Sequence, residues 1–314
     1  MGINGLKKLL RKEAPDAFKP FYFGLLQGKK VAIDSSILLY KFRYTYSTDD
    51  FHIHGFKQKV EEFKKLGIEP VFVFDGKPPD AKKEVLNQRK ENRNKMKDRL
   101  ESLTKEFEEL GVQPNFDEFI DDHETEPGPG TEPGPGTVSV PETVLAKKIY
   151  TEIQKIKKNL LYVHKHHSVE VMALLKDLGI SFFESYGEAE EFCAFLQKKG
   201  LVEYILTEDT DSLVFGGTNV IFQTKNKFEI IVLETILNSL EINYFEFIDF
   251  CILCGCDYTS KIPSIGPVTA LKIIKEYRTI ENFIENQTKW VVPDSFDYNL
   301  ARSLFLQNNS YELN

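Results

Sequence analysis

The chain has 314 residues, 41% of them hydrophobic, with four cysteines and a formal net charge of −8. That is enough for one α/β core carrying an insertion, while so few cysteines exclude a disulfide framework and point to a reducing compartment. No apolar run approaches membrane-spanning length and the start MGINGLKKLL is too short and polar for a signal peptide, so an intracellular protein without a visible targeting signal is expected.

In chain order, VAID (31–34) is a short β-branched run followed by SSILLYKF, with Ser35 or Ser36 as N-cap candidates. PVFVFD (70–75) is a continuous buried-strand pattern closed by Gly76 and the pair Pro78-Pro79. Met96, Leu100, Leu103, Phe107 and Leu110 recur at four and three residues, as do Leu145, Ile149, Ile153, Ile156, Leu160 and Val163. Each set makes one apolar stripe, so a protruding helical pair is expected. Between them TEPGPGTEPGPGT (125–137) repeats a six-residue unit and reads as an extended linker. SFFESY (181–186) leads through Gly187 into EAEEFCAFLQKK, and VEYILTED (202–209) is the next strand. YFEFIDFCILCG and PVTALKIIKEY are helices joined by the turn SKIPSIGP. Cys251, Cys254 and Cys256 fall at the end of the first of these, and no second close pair completes a zinc site. Strands alternating with helices predict an α/β fold with a mostly parallel central sheet flanked by helices.

The negative net charge by itself argues against a nucleic-acid partner, but it is unevenly spread. Residues 82–105 hold nine Lys/Arg against four Asp/Glu, and 147–165 hold six Lys against one Glu. Residues 117–142 hold eight acids and no Lys or Arg.

Within LTEDTDSLVFGG (206–217), Glu208, Asp209 and Asp211 crowd together where a strand runs out. Asp34 ends VAID, Asp75 ends VFVFD, Glu188 and Glu190 open the helix after SFFESY, and Asp257 follows a helix and a glycine. In an open parallel sheet, ligands sit beyond the carboxyl ends of the strands. One acid there is an ordinary helix cap or turn former. Acids from five segments at one edge repel unless cations neutralise them. Oxygen donors without His or Cys suit Mg²⁺ or Mn²⁺, and a pair of such ions about 4 Å apart serves in-line displacement at phosphate.

The runs MGINGL, KKVAIDSSILLY, PVFVFDGKPP, GEAEEFCA, TEDTDSLVFG, LCGCDY and SIGP, in this order, resemble the flap endonucleases among the structure-specific 5′ nucleases. The resemblance implies a PIN-like nuclease core and a site for two Mg²⁺ or Mn²⁺ carried by Asp34, Asp75, Glu188, Glu190, Asp209, Asp211 and Asp257. It implies hydrolysis of one phosphodiester at the junction of a 5′ single-stranded flap and a duplex, leaving a 5′-phosphate and a 3′-hydroxyl, in DNA replication and repair. Lys82 and Arg89 match the family's basic residues beside the site, where cations suit charge developing on the scissile phosphate. Tyr40 matches the aromatic on which a base stacks, and Gly2 the N-terminal glycine near the junction. The basic helices resemble the family's arch. SKIPSIGPVTALKII resembles the helix–two-turns–helix that holds duplex backbone, with Ile265 and Gly266 as contacts and K⁺ as a candidate ion.

One nuclease domain over 1–314 is thus expected, with an N-terminal region 1–81, a helical arch 82–167 carrying the insertion 117–142, an internal region 168–257 and a C-terminal DNA-binding region 258–314. The chain departs from the pattern at several places. The arch is lengthened by the acidic Pro-Gly tract. The segment 40–56 is shortened, which puts a 3′-flap pocket in doubt. Ser264 stands for a glycine, and Val268 and Thr269 stand where basic residues are common. A sliding-clamp peptide is missing at SYELN, so clamp binding by that route is not expected. These departures suit a divergent member, with a viral source as one reading, acting as a monomer at a nuclear or viral replication site. The rivals are a 5′ exonuclease or junction-cutting relative, and a nuclease-dead DNA-binding scaffold; the second predicts loss of a metal carboxylate, and all seven are present.

Overall fold

The computed structural model describes residues 2–3, 5–111, 140–224 and 227–307. The Pro-Gly tract 125–137 and the C-terminal SYELN lie outside the described residues. The chain divides into two compact units, residues 1–85 with 163–314, and residues 86–162.

The first unit is built on a seven-stranded sheet: β1 (Phe18–Phe21), β2 (Lys30–Asp34), β3 (Glu69–Phe74), β4 (Phe182–Glu184), β5 (Tyr204–Leu206), β6 (Asn219–Thr224) and β7 (Lys227–Val232). The order is β1-β7-β6-β5-β2-β3-β4. The pairings from β4 through β3, β2 and β5 to β6 are parallel, and β6–β7 and β7–β1 are antiparallel. The mostly parallel expectation therefore holds. The strand read at 31–34 is found whole and begins at Lys30, 70–75 is shifted to Glu69–Phe74, and 181–186 and 202–209 are shortened; β6 extends the parallel set and β7 and β1 add an antiparallel flank. Pro20 is tolerated because β1 is an edge strand.

Side chains alternate between two cores, as the period of a strand requires. Phe72 and Phe74 of β3, Val31 and Ile33 of β2 and Ile221 of β6 enter one core, with the helices Phe51–Lys65 and Lys165–Asp177. Val73, Ala32, Ile205, Val220 and Phe222 enter the other, with the helices Leu6–Glu13, Ala189–Lys198, Tyr244–Cys254 and Pro267–Tyr277. Burial on both faces explains the near-continuous apolar strands. Cys251 and Cys254 are buried in the second core.

The second unit contains most of the helix Lys83–Glu109 and the helix Val140–Asn159. Leu103, Ile149, Ile153 and Ile156 are buried together, with Met96, Leu100, Phe107, Leu110 and Leu160 packed on them. The stripes are read correctly except at their ends. Leu145 is largely exposed, and Val163 packs in the first unit, because the helix stops at Asn159.

Candidate active site

Strands β3, β2 and β5 are adjacent and parallel, in register Asp34↔Val73 and Ile33↔Leu206. Their carboxyl ends therefore finish at one edge, and the turns that follow deliver acids there. Asp34, only 1% exposed, ends β2. One of its oxygens accepts the N–H of Ser36 and of Ile37 at 3.0 and 3.3 Å, capping the helix Ser35–Thr45. The other accepts the Thr207 hydroxyl at 3.0 Å. The humble role of helix cap is real here, and it holds the carboxyl rigidly. Burial first, and the Asp75 charge next, push its pKa up to about 8.

Asp75 follows β3 and accepts the Ala189 N–H at 2.8 Å, which ties it to the first turn of the helix Ala189–Lys198; its second oxygen accepts the Ser36 hydroxyl. Gly76 makes this approach feasible: a Cβ there would run into the Ser185 carbonyl, and the Gly76 N–H donates to the Gly187 carbonyl at 2.9 Å. Glu190 is half-buried in that first turn. Its pKa is raised by withdrawal from solvent, then by Asp34, Asp75, Asp209 and Glu188.

Beyond β5, Asp209 and Asp211 are buried, and Asp209 accepts the Asp211 N–H at 3.0 Å. Asp211 accepts the Ile3 N–H at 3.1 Å. Both carboxyls are pushed up, burial being the first cause; for Asp211 the charges of Asp209, Glu188 and Asp257 follow. Glu208, the third acid of that run, turns away to pair with Lys41 at 3.4 Å. Asp257 comes from elsewhere: the helix Tyr244–Cys254 ends at Gly255, whose φ of 100° reverses the chain just ahead of it.

A lysine also reaches into this group. Lys82, in the turn Asp80–Lys82, donates to Glu188 and lies 3.1 Å from Asp257, its side chain 12% exposed. Burial alone would lower its pKa, but Glu188 and Asp257 overcome that and hold the ammonium protonated. Tyr258, adjacent to Asp257, donates its hydroxyl to Glu188. Sequence reading missed Tyr258 and Thr207. The signal for Tyr258 lay in LCGCDY itself, whereas Thr207 is recognisable only once β5 is set beside β2.

The seven acids thus form one electrostatically linked group with Lys82 in it. Among the described residues, no group of three or more His, Cys, Asp or Glu side chains is drawn into a ready-made cation cage. The donor set nevertheless fits hard divalent cations: it offers only carboxylate oxygens, several buried and mutually repelling. The nearby Cys193 thiol is held protonated by burial and by Asp34, Glu190 and Asp75, so it does not compete as a thiolate.

The remaining candidates sit as follows. Gly2 has φ 86° and lies against the Asp209 carboxylate and Thr210, where a Cβ would approach the Thr210 hydroxyl to 2.7 Å. Tyr40 is half-buried on the helix Ser35–Thr45. Arg89 is exposed on the helix Lys83–Glu109, in the second unit. The Ile265 side chain is buried in the core, so only its backbone can meet a ligand, and Gly266 is the N-cap of the helix Pro267–Tyr277 with open space beside it. Ser264 adopts φ 65°, so this non-glycine residue takes the left-handed geometry that favours glycine.

Among the described residues, no helix is long and apolar enough to cross a membrane. The XPG N-terminal domain matches residues 1–96 and the XPG I-region matches 179–257. Flap endonuclease 1 of Cryptosporidium parvum (strain Iowa II) is 35% identical over 97% of this chain, which spans 60% of that protein's length. Flap endonuclease 1 of Micromonas commoda is 35% identical over 97% of this chain, here spanning 74% of the relative. The catalytic core of Rad2, solved in complex with DNA substrate, shares the fold at a TM-score of 0.66 and 24% identity, covering 98% of this chain and 86% of its own. With the acidic edge, the parallel sheet and these matches in agreement, the chain belongs to the flap endonuclease family of structure-specific nucleases.

Proposed function

We propose that the protein hydrolyses one phosphodiester of branched DNA at the junction of a 5′ single strand and a duplex, in replication and repair. The observation that carries this reading is the gathering of Asp34, Asp75, Glu188, Glu190, Asp209, Asp211 and Asp257 into one interacting group at the carboxyl edge of the sheet, with the Lys82 ammonium on Glu188 and Asp257. These acids would hold two Mg²⁺ or Mn²⁺, whose chemistry is to neutralise phosphate charge and to make water acidic enough to attack at neutral pH.

The chain's own groups do the rest. Asp34 and Asp75 are fixed by backbone N–H and hydroxyl donors, so their lone pairs are preorganised. Lys82 brings positive charge to the place where it accumulates on the scissile phosphate in the transition state. Arg89 is the proposed second cation. Gly2 keeps the wall beside Asp209 thin enough for a strand to approach. Tyr40 would stack a base, an interaction that tolerates any sequence. The turn 263–266 would hold duplex backbone, with K⁺ as its proposed ion. The basic helices of the second unit would track the phosphates of the flap, and binding should therefore weaken with salt.

The test is cleavage of an end-labelled double-flap DNA with Mg²⁺, beside Asp209→Asn. One product at the flap base, lost in the variant, is expected. No cleavage of any 5′-branched substrate by folded protein, in Mg²⁺ or Mn²⁺, would refute the reading. Matched nicked, bubble and four-way substrates separate the flap activity from exonuclease and junction-cutting relatives.

A further inference from the structure

We propose that Tyr258 is a positioning residue that fixes the Glu188 carboxylate through its hydroxyl. The inference rests on the reading of Glu188 as one of the cation-holding acids.

Glu188 is the N-cap of the helix Ala189–Lys198, yet its side chain makes no capping bond. The cap position therefore does not hold that long side chain. What holds it comes from two other segments. One carboxylate oxygen accepts from Lys82 and the other from the Tyr258 hydroxyl. With different donors on its two oxygens, the carboxylate cannot swing about its own axis, and it retains lone pairs for a further ligand.

The donor itself is rigid. Tyr258 is only 4% exposed. Its ring meets Phe305 edge-on at 5.1 Å and Phe215 at 6.5 Å, and the Lys82 ammonium lies 6.0 Å from its centre. Phe305 belongs to the helix Tyr298–Leu306. The C-terminal helix thus buttresses a ring whose hydroxyl orients an acid from a much earlier segment of the chain. A phenol is protonated at neutral pH, so it donates and the carboxylate accepts. Removing a partner that orients a metal ligand typically costs about 10- to 100-fold in affinity for the ion. The plainer reading is that a buried tyrosine has merely found an acceptor. The two readings differ in one respect: only positioning makes the hydroxyl matter through Glu188.

The experiment is a double-mutant cycle on the full chain with Tyr258→Phe, Glu188→Gln and the pair. Mn²⁺ binding without DNA is read by electron paramagnetic resonance, and single-turnover flap cleavage is read across Mg²⁺ concentrations. Tyr258→Phe is expected to weaken Mn²⁺ binding about 10- to 100-fold, to raise the Mg²⁺ needed for half-maximal rate by a similar factor, and to leave flap affinity within about twofold. In the Glu188→Gln background it should add nothing. Unchanged Mn²⁺ affinity in Tyr258→Phe, or effects that add in the pair, would overturn the proposal while leaving the cation reading intact. Wild-type Mn²⁺ affinity and rate in Glu188→Gln would overturn both. Phe305→Leu keeps the hydroxyl and loosens its buttress; it should shift the Mg²⁺ requirement the same way, and an unchanged requirement counts against the proposal even if Tyr258→Phe does not fold.

Discussion

The ammonium of Lys82 lies 3.1 Å from the carboxylate of Asp257, and the same ammonium donates to Glu188. One side chain from the turn after β3 thereby joins an acid that follows the helix Tyr244–Cys254 to an acid that opens the helix Ala189–Lys198. Lys82→Met should remove this link and the positive charge offered to the scissile phosphate. The single-turnover cleavage rate at saturating Mg²⁺ should fall roughly 10²–10³-fold, with flap affinity little changed. A rate within threefold of wild type in a quench-flow measurement would show that the ammonium is only a counterion.

Thr207 connects two strands at the same edge. Its hydroxyl donates to Asp34 at 3.0 Å and accepts the Asp209 N–H at 3.1 Å. Thr207→Val keeps the shape and deletes both bonds, leaving a buried carboxyl short of a donor. Urea denaturation should show a loss of about 1–3 kcal/mol, and Thr207→Ser should recover most of it. Equal stability of the valine and serine variants would contradict this account.

The C-terminal helix is fastened by charge. The Arg302 guanidinium donates twice to Asp249, at 2.8 Å each, and to both oxygens of Glu281, at 2.7 and 3.1 Å. Asp249 is 3% exposed and also accepts the Ile280 N–H at 3.1 Å. Burial pushes the Asp249 pKa up while Arg302 pulls it down. Arg302→Leu would strand a buried acid, so chemical denaturation should report a loss on the order of 3–5 kcal/mol. The double variant with Asp249→Asn should recover part of that loss, because the uncompensated charge is then gone.

Acid should weaken the packing of two helix starts. His167, on the helix Lys165–Asp177, is buried against His166, His52 and Phe51, with ring centres 4.1, 4.7 and 4.8 Å away, and it accepts the His164 N–H. Glu170, paired with His52 at 2.6 Å, is the acid that faces the group. Burial, then His166, His52 and His164, lower the His167 pKa from 6.5 to about 4. Between those values the unfolded chain binds more protons than the folded one, so stability rises with pH through that window and is lost on acidification. The raised carboxyls of the acidic edge carry the opposite slope, so the comparison is with His167→Gln. In thermal melts the midpoint of wild type relative to that variant should be lower at pH 5 than at pH 7.5, and a pH-independent difference between the two would contradict this account.

Much of this molecule is legible in its residue order. The runs ending in Asp34 and Asp75 announce buried parallel strands because apolar residues fill both faces, and the structure places Phe72 and Phe74 in one core and Val73 in the other. The antiparallel flank β6–β7 is not legible, since NVIFQTKNKFEIIV carries neither a strong turn dipeptide nor a clean alternation. Val163 falls in the period of the protruding stripe yet packs in the first unit, because periodicity cannot see where a helix stops.

The sequence by itself determined which chemistry is available: carboxylates at strand ends, a lysine behind DGKPP, and a spacing of runs that identifies the family. It could do so because strand and helix periods, caps and turn residues are local properties. Only the tertiary structure decided which acids stand together. Glu208, between two candidates, pairs outward with Lys41, whereas Asp257, far along the chain, reaches Lys82. It also decided that Thr207 and Tyr258 hold Asp34 and Glu188 in place. Such contacts depend on strand order, on the close approach at Gly76 and on the angle at which helices pack. These are properties of chain segments distant in sequence, and no local pattern encodes them.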